Sequence, residues 1–188
     1  MKEKGIKWVF IGSVDNALLN MVDPILLGLT VSQNNMIGSK SVVKRSPEEP
    51  VGVFCKKNNK PAVIEYTELP TEMAKETDED GELLFGESHI MCNLYNVEAL
   101  DIISKNTLPY HSAHKKAAYM DENGNIIKVK KPNAYKYEAF IFDGFIFFDN
   151  ISILRGRREE DFAPVKNAEG EDSPETAIKL YNDYWENK

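Results

Sequence analysis

The stretch IKWVFIG at residues 6–12 is apolar at almost every position and is followed directly by SVDN at residues 13–16. A short run that is apolar throughout is typical of a strand buried on both faces, and such strands occupy the middle of parallel sheets. A central strand needs neighbours on both sides, and residues 1–5 are too few to supply one. The sequence therefore predicts an α/β sheet of which part lies outside this chain.

Asp15 follows this expected strand almost directly. In open α/β sheets, ligands bind beyond the carboxyl ends of the strands, so a carboxylate at this point is well placed to hold a hard cation such as Mg²⁺. The alternative is that Asp15 caps the next helix, since aspartate is a favoured N-cap residue. The position of Asp15 by itself leaves both interpretations open.

The rest of the chain alternates short strands with helices. A helix is expected to begin at Pro24 with Asp23 as its N-cap, because proline is favoured at the first helical position. The aromatic-rich residues 135–148 predict a buried helix. The other expected elements, in chain order, are strands near 41–44, 51–55 and 62–66, a turn at 58–60, an acidic loop or loose helix at 71–82, a helix at 97–104 capped by Asn96, a hairpin at 118–129, a strand at 151–154 and a helix from 173 to about 185. This mixture predicts an α/β fold with antiparallel additions.

Composition restricts the class of protein. The 188 residues are 42% hydrophobic and 28% charged, which is typical of a soluble globular domain. The net charge of −7 disfavours a nucleic-acid binder, because such proteins carry a basic face. No apolar run approaches the ~20 residues that span a bilayer. The two cysteines form no CxxC pair, so we expect a cytoplasmic protein. From the net charge and the lack of a long apolar run, we expect neither a nucleic-acid partner nor a membrane partner.

Lys166 lies among apolar residues and a proline in the run APVKNA at residues 163–168. A lysine in such a setting is more often partly desolvated than one in a run of charges. Beside a phosphate it would contribute on the order of 4 kcal/mol at an effective dielectric constant of about 20. The alternative is a surface lysine with little energetic role.

The histidines and one cysteine fall in the pairs His89-x-x-Cys92 and His111-x-x-His114, which is the outline of a structural zinc site. The spacing between the pairs is loose for zinc, and a pair of lysines follows the second one directly, which disfavours a cation there. The phenylalanines of residues 140–148 are expected mainly in the core. The sequence contains no Ser-His-Asp spacing, P-loop or GxGxxG fingerprint. The residues alone thus indicate an α/β domain with one candidate metal carboxylate.

A set of short segments extends across nearly the whole chain. They are SVDN at 13–16, VDP at 22–24, LG at 27–28, EPVGV at 49–53, VIEYTE at 63–68, LLF at 83–85, HKK at 114–116, KPN at 131–133, FIFD at 140–143 and PVKNA at 164–168. In order and spacing, this set resembles the eukaryotic-type UDP-N-acetylglucosamine pyrophosphorylases within the wider UDP-sugar pyrophosphorylase family.

The resemblance implies a nucleotide-diphospho-sugar transferase fold with a Rossmann-like mixed sheet. It also implies a reaction in which UTP and N-acetylglucosamine-1-phosphate give UDP-N-acetylglucosamine and pyrophosphate with Mg²⁺. Asp15 would be the metal-side carboxylate, and Lys166 would neutralise phosphate charge. At the sugar, Gly52 would allow close backbone approach, Glu65 would accept hydrogen bonds, and Phe140 with Phe142 would form a wall.

The sequence departs from the family pattern at two points. His89 stands where the family has an asparagine that would contact the sugar, so glucose-1-phosphate or another hexose phosphate is an alternative substrate. The family's glycine-rich loop, which holds the UTP phosphates, has no counterpart in residues 1–188. We therefore expect a single partial domain, residues 1–188, without the N-terminal nucleotide-binding half, inactive alone and self-associating through an unpaired sheet edge. A non-catalytic sugar-nucleotide-binding relative is a further alternative.

Overall fold

The computed structural model describes residues 1–188 and contains one six-stranded sheet and two separate two-stranded ribbons. The strands are β1 (Trp8–Gly12), β2 (Ile37–Val43), β3 (Val53–Lys57), β4 (Lys60–Ile64), β5 (Glu87–Asn96), β6 (His111–Lys115), β7 (Tyr119–Met120), β8 (Ile126–Ile127), β9 (Ala134–Glu138) and β10 (Ser152–Arg155). The α-helices are α1 (Pro24–Ser32), α2 (Thr71–Ala74), α3 (Val97–Ser104), α4 (Arg158–Asp161) and α5 (Pro174–Glu186). Two 3-10 helices cover Lys2–Lys4 and Ile141–Phe147. The α/β class with a mixed sheet is confirmed.

The longest strand, β5, organises the sheet. β2 pairs antiparallel along one of its edges, whereas β1 and β3 share the other edge end to end. β4 continues the sheet beyond β3, and β10 lies parallel to β2 at the opposite side. The sequence prediction omitted β5, although Ile90, Cys92 and Leu94 repeat at every second position, which is the signal of a strand.

β1 confirms a strand near residues 6–12 but not its expected environment. It runs antiparallel to β5, with Trp8 opposite Asn96 and Gly12 opposite Cys92, and all of its residues are only half-buried. No strand occupies its other edge. The expectation of a strand inside a parallel sheet is therefore wrong for this structure. An apolar run reports the chemistry of the side chains and not the direction of the neighbouring strand.

The other short strands and turns are confirmed with shifted ends. The strands expected near 41–44, 51–55, 62–66 and 151–154 correspond to β2, β3, β4 and β10, and the hairpins at 58–60 and 118–129 correspond to β3–β4 and β7–β8. Asn58 and Asn59 both adopt positive φ, 52° and 62°, as a two-residue hairpin turn requires. The acidic region begins with the short helix α2 and continues as a loop.

Side-chain caps define the helix starts that the sequence predicts. Asp23 Oδ1 accepts a 2.8 Å hydrogen bond from the N–H of Ile25, and Pro24 occupies the first position of α1. Asn96 caps α3 through a 2.9 Å bond from the N–H of Glu98. The expected start of α5 is confirmed as well. None of the helices combines the length and the apolar composition required to cross a membrane.

The buried helix predicted at residues 135–148 is wrong. The first part of this segment is β9, in which Tyr135 and Tyr137 are exposed, and the second part is the 3-10 helix Ile141–Phe147, in which Phe145 is fully buried. Aromatic side chains on an exposed strand and in a tight buried turn produce the same local composition as a buried helix. Composition could not separate the two arrangements.

The main core lies where β5, α3 and the 3-10 helix meet. Its buried side chains are Ile37, Phe54, Val63, Tyr95, Ala99, Ile103, Phe142, Phe145 and Phe148. A buried ion cluster supports the sheet elsewhere: Lys40 of β2 lies 2.7 Å from Asp23 and 2.5 Å from Asp161. Burial alone would lower the pKa of Lys40, but its hydrogen bonds to the two carboxylates raise it. The cluster ties β2 to the start of α1 and to α4.

Candidate functional site

A cleft of about 610 Å³ lies between the sheet and the β6–β9 pair, which we call the ribbon. Every site residue predicted from the sequence lines this cleft: Asp15, Gly52, Glu65, His89, Phe140, Phe142 and Lys166. Segments that are far apart in the chain therefore meet at one place. The chemical role of each residue remains a prediction.

Asp15 occupies the turn after β1 and is exposed to the cleft. Its carboxylate accepts a hydrogen bond from Ser13 Oγ, and its carbonyl oxygen accepts one from the N–H of Val165 at 2.7 Å. The buried Asn16 reinforces this join, because its Oδ1 accepts a 2.8 Å bond from the N–H of Ala163. The alternative that Asp15 caps the next helix is wrong, since α1 begins further along and has its own cap.

Lys166 reaches the same end of the cleft through that join. Its Nζ donates to the carbonyl oxygen of Pro50 at 3.2 Å and lies 5.8 Å from the centre of the Phe162 ring. Its N–H donates to the carbonyl oxygen of Asp172 at 2.6 Å. The residue as a whole is exposed, so the expected partial desolvation is not what the structure shows. The ammonium group is nevertheless held at the cleft by Pro50, beside the Phe162 ring.

Glu65 and Gly52 lie next to each other in the cleft. A Cβ at position 52 would lie 3.0 Å from Glu65 Oε1 and 3.1 Å from Val63 Cγ1, so glycine leaves the space that the carboxylate occupies. Burial raises the pKa of Glu65, although the nearby imidazole of His111 acts in the opposite direction. The carboxylate of Glu65 makes no hydrogen bond to another side chain or to the backbone, which leaves its oxygens available to a ligand.

His89 belongs to β5 and is 5% exposed. Its ring packs edge-on against Phe54, Phe142 and Phe145, with centroid separations of 5.1, 4.8 and 6.1 Å. Its Nε2 lies 3.0 Å from Asn93 Oδ1. Burial lowers the pKa of His89 to about 4, so the side chain is neutral at physiological pH.

Phe140 and Phe142 form a stacked pair, with ring centroids 4.8 Å apart and an interplanar angle of 10°. Phe142 is 3% exposed and belongs to the main core, whereas Phe140 is half-buried and forms the outer part of the wall. The pair therefore meets both expectations. Phe142 belongs to the core, and both rings line the cleft.

An ion cluster beside the cleft was missed at the sequence level. His111 Nδ1 lies 2.9 Å from Glu68 Oε1, and its Nε2 lies 3.0 Å from Asp143 Oδ2. Burial alone would lower the pKa of His111, but its hydrogen bonds to the two carboxylates raise it. The cluster joins the ribbon to the body of the protein. The sequence offered His111 only as half of a zinc motif, and no local pattern connects it to its distant partners.

Charged residues of the ribbon also line the cleft without having been proposed as site residues. They are Lys115 of β6 and Lys136 and Glu138 of β9, and the latter two are joined by a 2.7 Å ion pair. Residues two apart on a strand share a face, so the Lys-x-Glu spacing is a signal that could have placed this pair together.

Metal-binding groups are sparse. No three or more His, Cys, Asp or Glu side chains are arranged to hold a metal ion. The zinc hypothesis is wrong, because His89 is bonded to Asn93 while His111 is bonded to carboxylates. Asp15 fits a different kind of site, since Mg²⁺ is commonly held by one or two carboxylates together with substrate phosphates and water.

Known proteins resemble the chain over nearly all of its length. Human UDP-N-acetylhexosamine pyrophosphorylase-like protein 1 is 41% identical over 182 residues, which cover 94% of this chain and 36% of that protein. The UDP-N-acetylglucosamine pyrophosphorylase of Saccharomyces cerevisiae is 37% identical, with 95% and 39% covered. A solved structure of the Trypanosoma brucei uridine diphosphate N-acetylglucosamine pyrophosphorylase in complex with an inhibitor superposes with a TM-score of 0.79 at 35% identity, covering 95% of this chain and 35% of that one.

The chain thus spans little more than a third of the length of these relatives. The family model described as UTP–glucose-1-phosphate uridylyltransferase matches residues 1–173. The extent of that match means that the chain belongs to the UTP–glucose-1-phosphate uridylyltransferase family.

Proposed function

We propose that this chain forms the sugar-facing part of a uridylyltransferase that converts UTP and N-acetylglucosamine-1-phosphate into UDP-N-acetylglucosamine and pyrophosphate. The observation that carries the proposal is the convergence of Asp15, Glu65 and Lys166 on one cleft from distant segments. Relatives named for UDP-N-acetylglucosamine or UDP-N-acetylhexosamine support the same class of sugar.

The reaction requires mainly positioning and charge neutralisation. An oxygen of the sugar phosphate attacks the α-phosphorus of UTP while pyrophosphate leaves, and no covalent intermediate with the protein is needed. Lys166, held at the cleft mouth by Pro50, neutralises phosphate charge. Asp15 is the carboxylate that would hold Mg²⁺, which supplies further charge neutralisation at the phosphates when bound.

The sugar occupies the deeper part of the cleft. Glu65 accepts hydrogen bonds from sugar hydroxyls, because its carboxylate has no partner within the chain. Gly52 leaves room beside it, since a side chain there would contact the Glu65 carboxylate at about 3 Å. Phe140 and Phe142 wall the sugar and its acetamido group, and His89 contributes a neutral polar edge.

The chain is one partial domain of a Rossmann-like uridylyltransferase in this proposal. Its relatives are about two and a half times as long. We infer that the uridine- and triphosphate-facing part of the site is supplied by the rest of such a longer protein. The isolated chain therefore binds a sugar nucleotide through its sugar and phosphate but does not turn over.

Isothermal titration of the chain with Mg²⁺ present tests the proposal. UDP-N-acetylglucosamine, UDP-glucose and UDP are the ligands, and the acetylated sugar nucleotide is expected to bind most tightly. Glu65→Gln should weaken its binding roughly tenfold, because one acceptor oxygen becomes a donor and the other loses its charge. Lys60→Met, which alters an exposed ion pair with Asp149 away from the cleft, is the matched control and should leave binding unchanged.

Two outcomes would contradict the proposal. Absence of binding to all of the ligands would mean that the cleft is not a sugar-nucleotide site and would leave only the fold. If the purified chain formed UDP-N-acetylglucosamine from UTP and the sugar phosphate, the proposal that the isolated chain is inactive would be wrong.

Glucose is the second candidate sugar, and the description of the matching family model favours it. The two sugars differ at the acetamido group, so the ratio of affinities for UDP-N-acetylglucosamine and UDP-glucose decides between them. Tighter binding of UDP-glucose would assign the glucose-1-phosphate reaction.

The free edge of β1 is the basis of a further part of the proposal. β1 pairs with β5 on one side only, and an unpaired strand edge is a template for another strand. The isolated chain is therefore expected to self-associate in the cytoplasm and in solution. A monomer at high concentration in light scattering would argue against this.

A further inference from the structure

The two ring nitrogens of His89 have different surroundings. Nε2 lies 3.0 Å from Asn93 Oδ1, whereas Nδ1 makes no hydrogen bond within the chain. A neutral imidazole carries its proton on one nitrogen only, so the partner of Nε2 decides what Nδ1 offers to a ligand. The state of this ring is therefore set by Asn93.

Asn93 is fully buried, and in the structure its amide oxygen is turned towards His89. Its Oδ1 accepts a 2.6 Å hydrogen bond from Ser39 Oγ in β2 and faces His89 Nε2. Its Nδ2 points towards Met91 Sδ at 4.0 Å. The reversed amide would place an oxygen against the sulfur, where no donor exists. An oxygen facing Nε2 requires that Nε2 carry the proton.

Nδ1 belongs to a ring that lines the cleft. His89 is one of the residues around the cleft, and the rings of Phe54, Phe142 and Phe145 pack edge-on around its imidazole. Because Nε2 is engaged by Asn93, Nδ1 is the ring nitrogen that is left for a ligand in the cleft.

We propose that Asn93 and Ser39 are positioning residues that hold His89 as the Nε2-protonated tautomer, so that Nδ1 presents a hydrogen-bond acceptor to an N–H or O–H group of the sugar. The ligand part rests on the proposed function, whereas the tautomer does not. Burial keeps the ring neutral, since its pKa is lowered to about 4. A site with a buried acceptor rejects a ligand that lacks the matching donor, because the acceptor is then left unpaired.

Nitrogen NMR of the histidine rings in the unliganded chain tests the tautomer directly. His89 is expected to show a protonated Nε2 and an unprotonated Nδ1 at pH 7. The opposite tautomer, or an equal mixture of the two, would overturn the proposal.

Variants of the positioning residues separate their role from simple packing. Asn93→Leu removes the acceptor and should convert the single tautomer into a mixture, whereas Asn93→Asp keeps an oxygen at the same place and should restore a protonated Nε2. Ser39→Ala provides a second test if a substitution at position 93 prevents folding. It releases the amide to reverse and should reveal the second tautomer. A single unchanged tautomer in every folded variant at these two positions would overturn the proposal.

Titration of the same variants with UDP-N-acetylglucosamine and UDP tests the ligand part. Asn93→Leu should lower affinity for the sugar nucleotide roughly tenfold, the value of one well-placed hydrogen bond, while affinity for UDP stays unchanged. Equal losses for both ligands would overturn a contact to the sugar. If the unaltered chain binds neither ligand, the proposed function fails, and the NMR result on the tautomer still stands on its own.

Discussion

The cleft has two unlike walls. The sheet wall consists of β5 and the 3-10 helix Ile141–Phe147, where His89, Asn93 and Phe142 are buried. The ribbon wall consists of β6 and β9, where Tyr135 and Lys136 are exposed. One wall is part of the core of the protein, and the other is attached to its surface.

This difference separates two kinds of recognition. The sheet wall presents no unpaired cation: His89 is neutral there, and the buried Lys40 of β2 is paired with two carboxylates. The ribbon wall carries Lys115 and Lys136 beside the cleft. A buried wall with a set shape is suited to hydrogen bonds and apolar contact with a sugar, whereas exposed lysines are suited to phosphate.

The two histidines of the walls also respond to pH in opposite directions. The pKa of His89 is lowered by burial, and the pKa of His111 is raised by its carboxylate partners, Glu68 and Asp143. Each therefore stabilises its wall in a different pH range, which makes the comparison testable.

The largest expected effect is on the support of the sheet wall. Lys40→Met leaves Asp23 and Asp161 buried without their shared cation and should lower the free energy of unfolding by about 3–5 kcal/mol. Urea denaturation followed by circular dichroism measures the change as a lower midpoint at constant slope. If Lys40→Met lowers the free energy of unfolding by no more than the substitution of a ribbon lysine does, lysines of the sheet and of the ribbon stabilise the fold equally.

The next effect is the pH dependence of the sheet wall. His89 has a pKa of about 4 in the folded chain and about 6.5 when unfolded, so the unfolded state binds more protons between these values. Stability should fall by about 3 kcal/mol from this group as the pH falls from about 6.5 to 4. His89→Gln should flatten this part of the profile in denaturation experiments at several pH values. An equally steep profile in the variant would show that other groups cause the loss.

The His111 contacts that attach the ribbon are expected to weaken as the pH rises, which is the opposite of the pH dependence expected for His89. His111→Gln removes the paired cation and should cost on the order of 1–2 kcal/mol, mainly as faster hydrogen exchange in residues 111–138. Because the folded pKa of His111 is raised, its stabilisation is complete below about 6.5 and is lost as the pH rises through the folded pKa. Hydrogen exchange by mass spectrometry, with β5 as the internal control, measures both effects. Equal acceleration in β5 would argue that the ribbon is not a separate unit.

The smallest effect is expected at the exposed face of the ribbon. Lys136→Met breaks only an exposed ion pair with Glu138, so the free energy of unfolding should change by no more than about 0.5 kcal/mol. The same urea denaturation as for Lys40→Met measures it, and this variant is the matched control for that one. A loss of several kcal/mol would remove the distinction between buried and exposed lysines on which the comparison depends.

Much of the local structure was predictable from the sequence. Asp23 with Pro24, and Asn96 before residue 97, identify helix starts through contacts that reach only two or three residues along the chain. β5 was missed although Ile90, Cys92 and Leu94 alternate along it, and residues 135–148 were misassigned because aromatic composition is shared by several structures. Each error concerns packing against elements distant in the sequence.

The candidate site shows the same division. The resemblance to a family predicted which residues would lie together, and their convergence on one cleft agrees with it. His111 could not be understood from its spacing, because a histidine pair resembles a zinc motif whether or not carboxylates lie opposite it. Only the fold brings Glu68 and Asp143 to the ring.

The sequence by itself determined the helix caps, the hairpin turn at Asn58 and Asn59, and the family to which the chain belongs. These depend on neighbouring residues or on residue identity, which are written directly in the chain. The tertiary structure alone decided the direction of β1, the neutral state of His89, the partners of His111 and the free carboxylate of Glu65. Strand pairing, burial and hydrogen bonding between distant residues depend on which surfaces meet, and that is settled only when the whole chain packs.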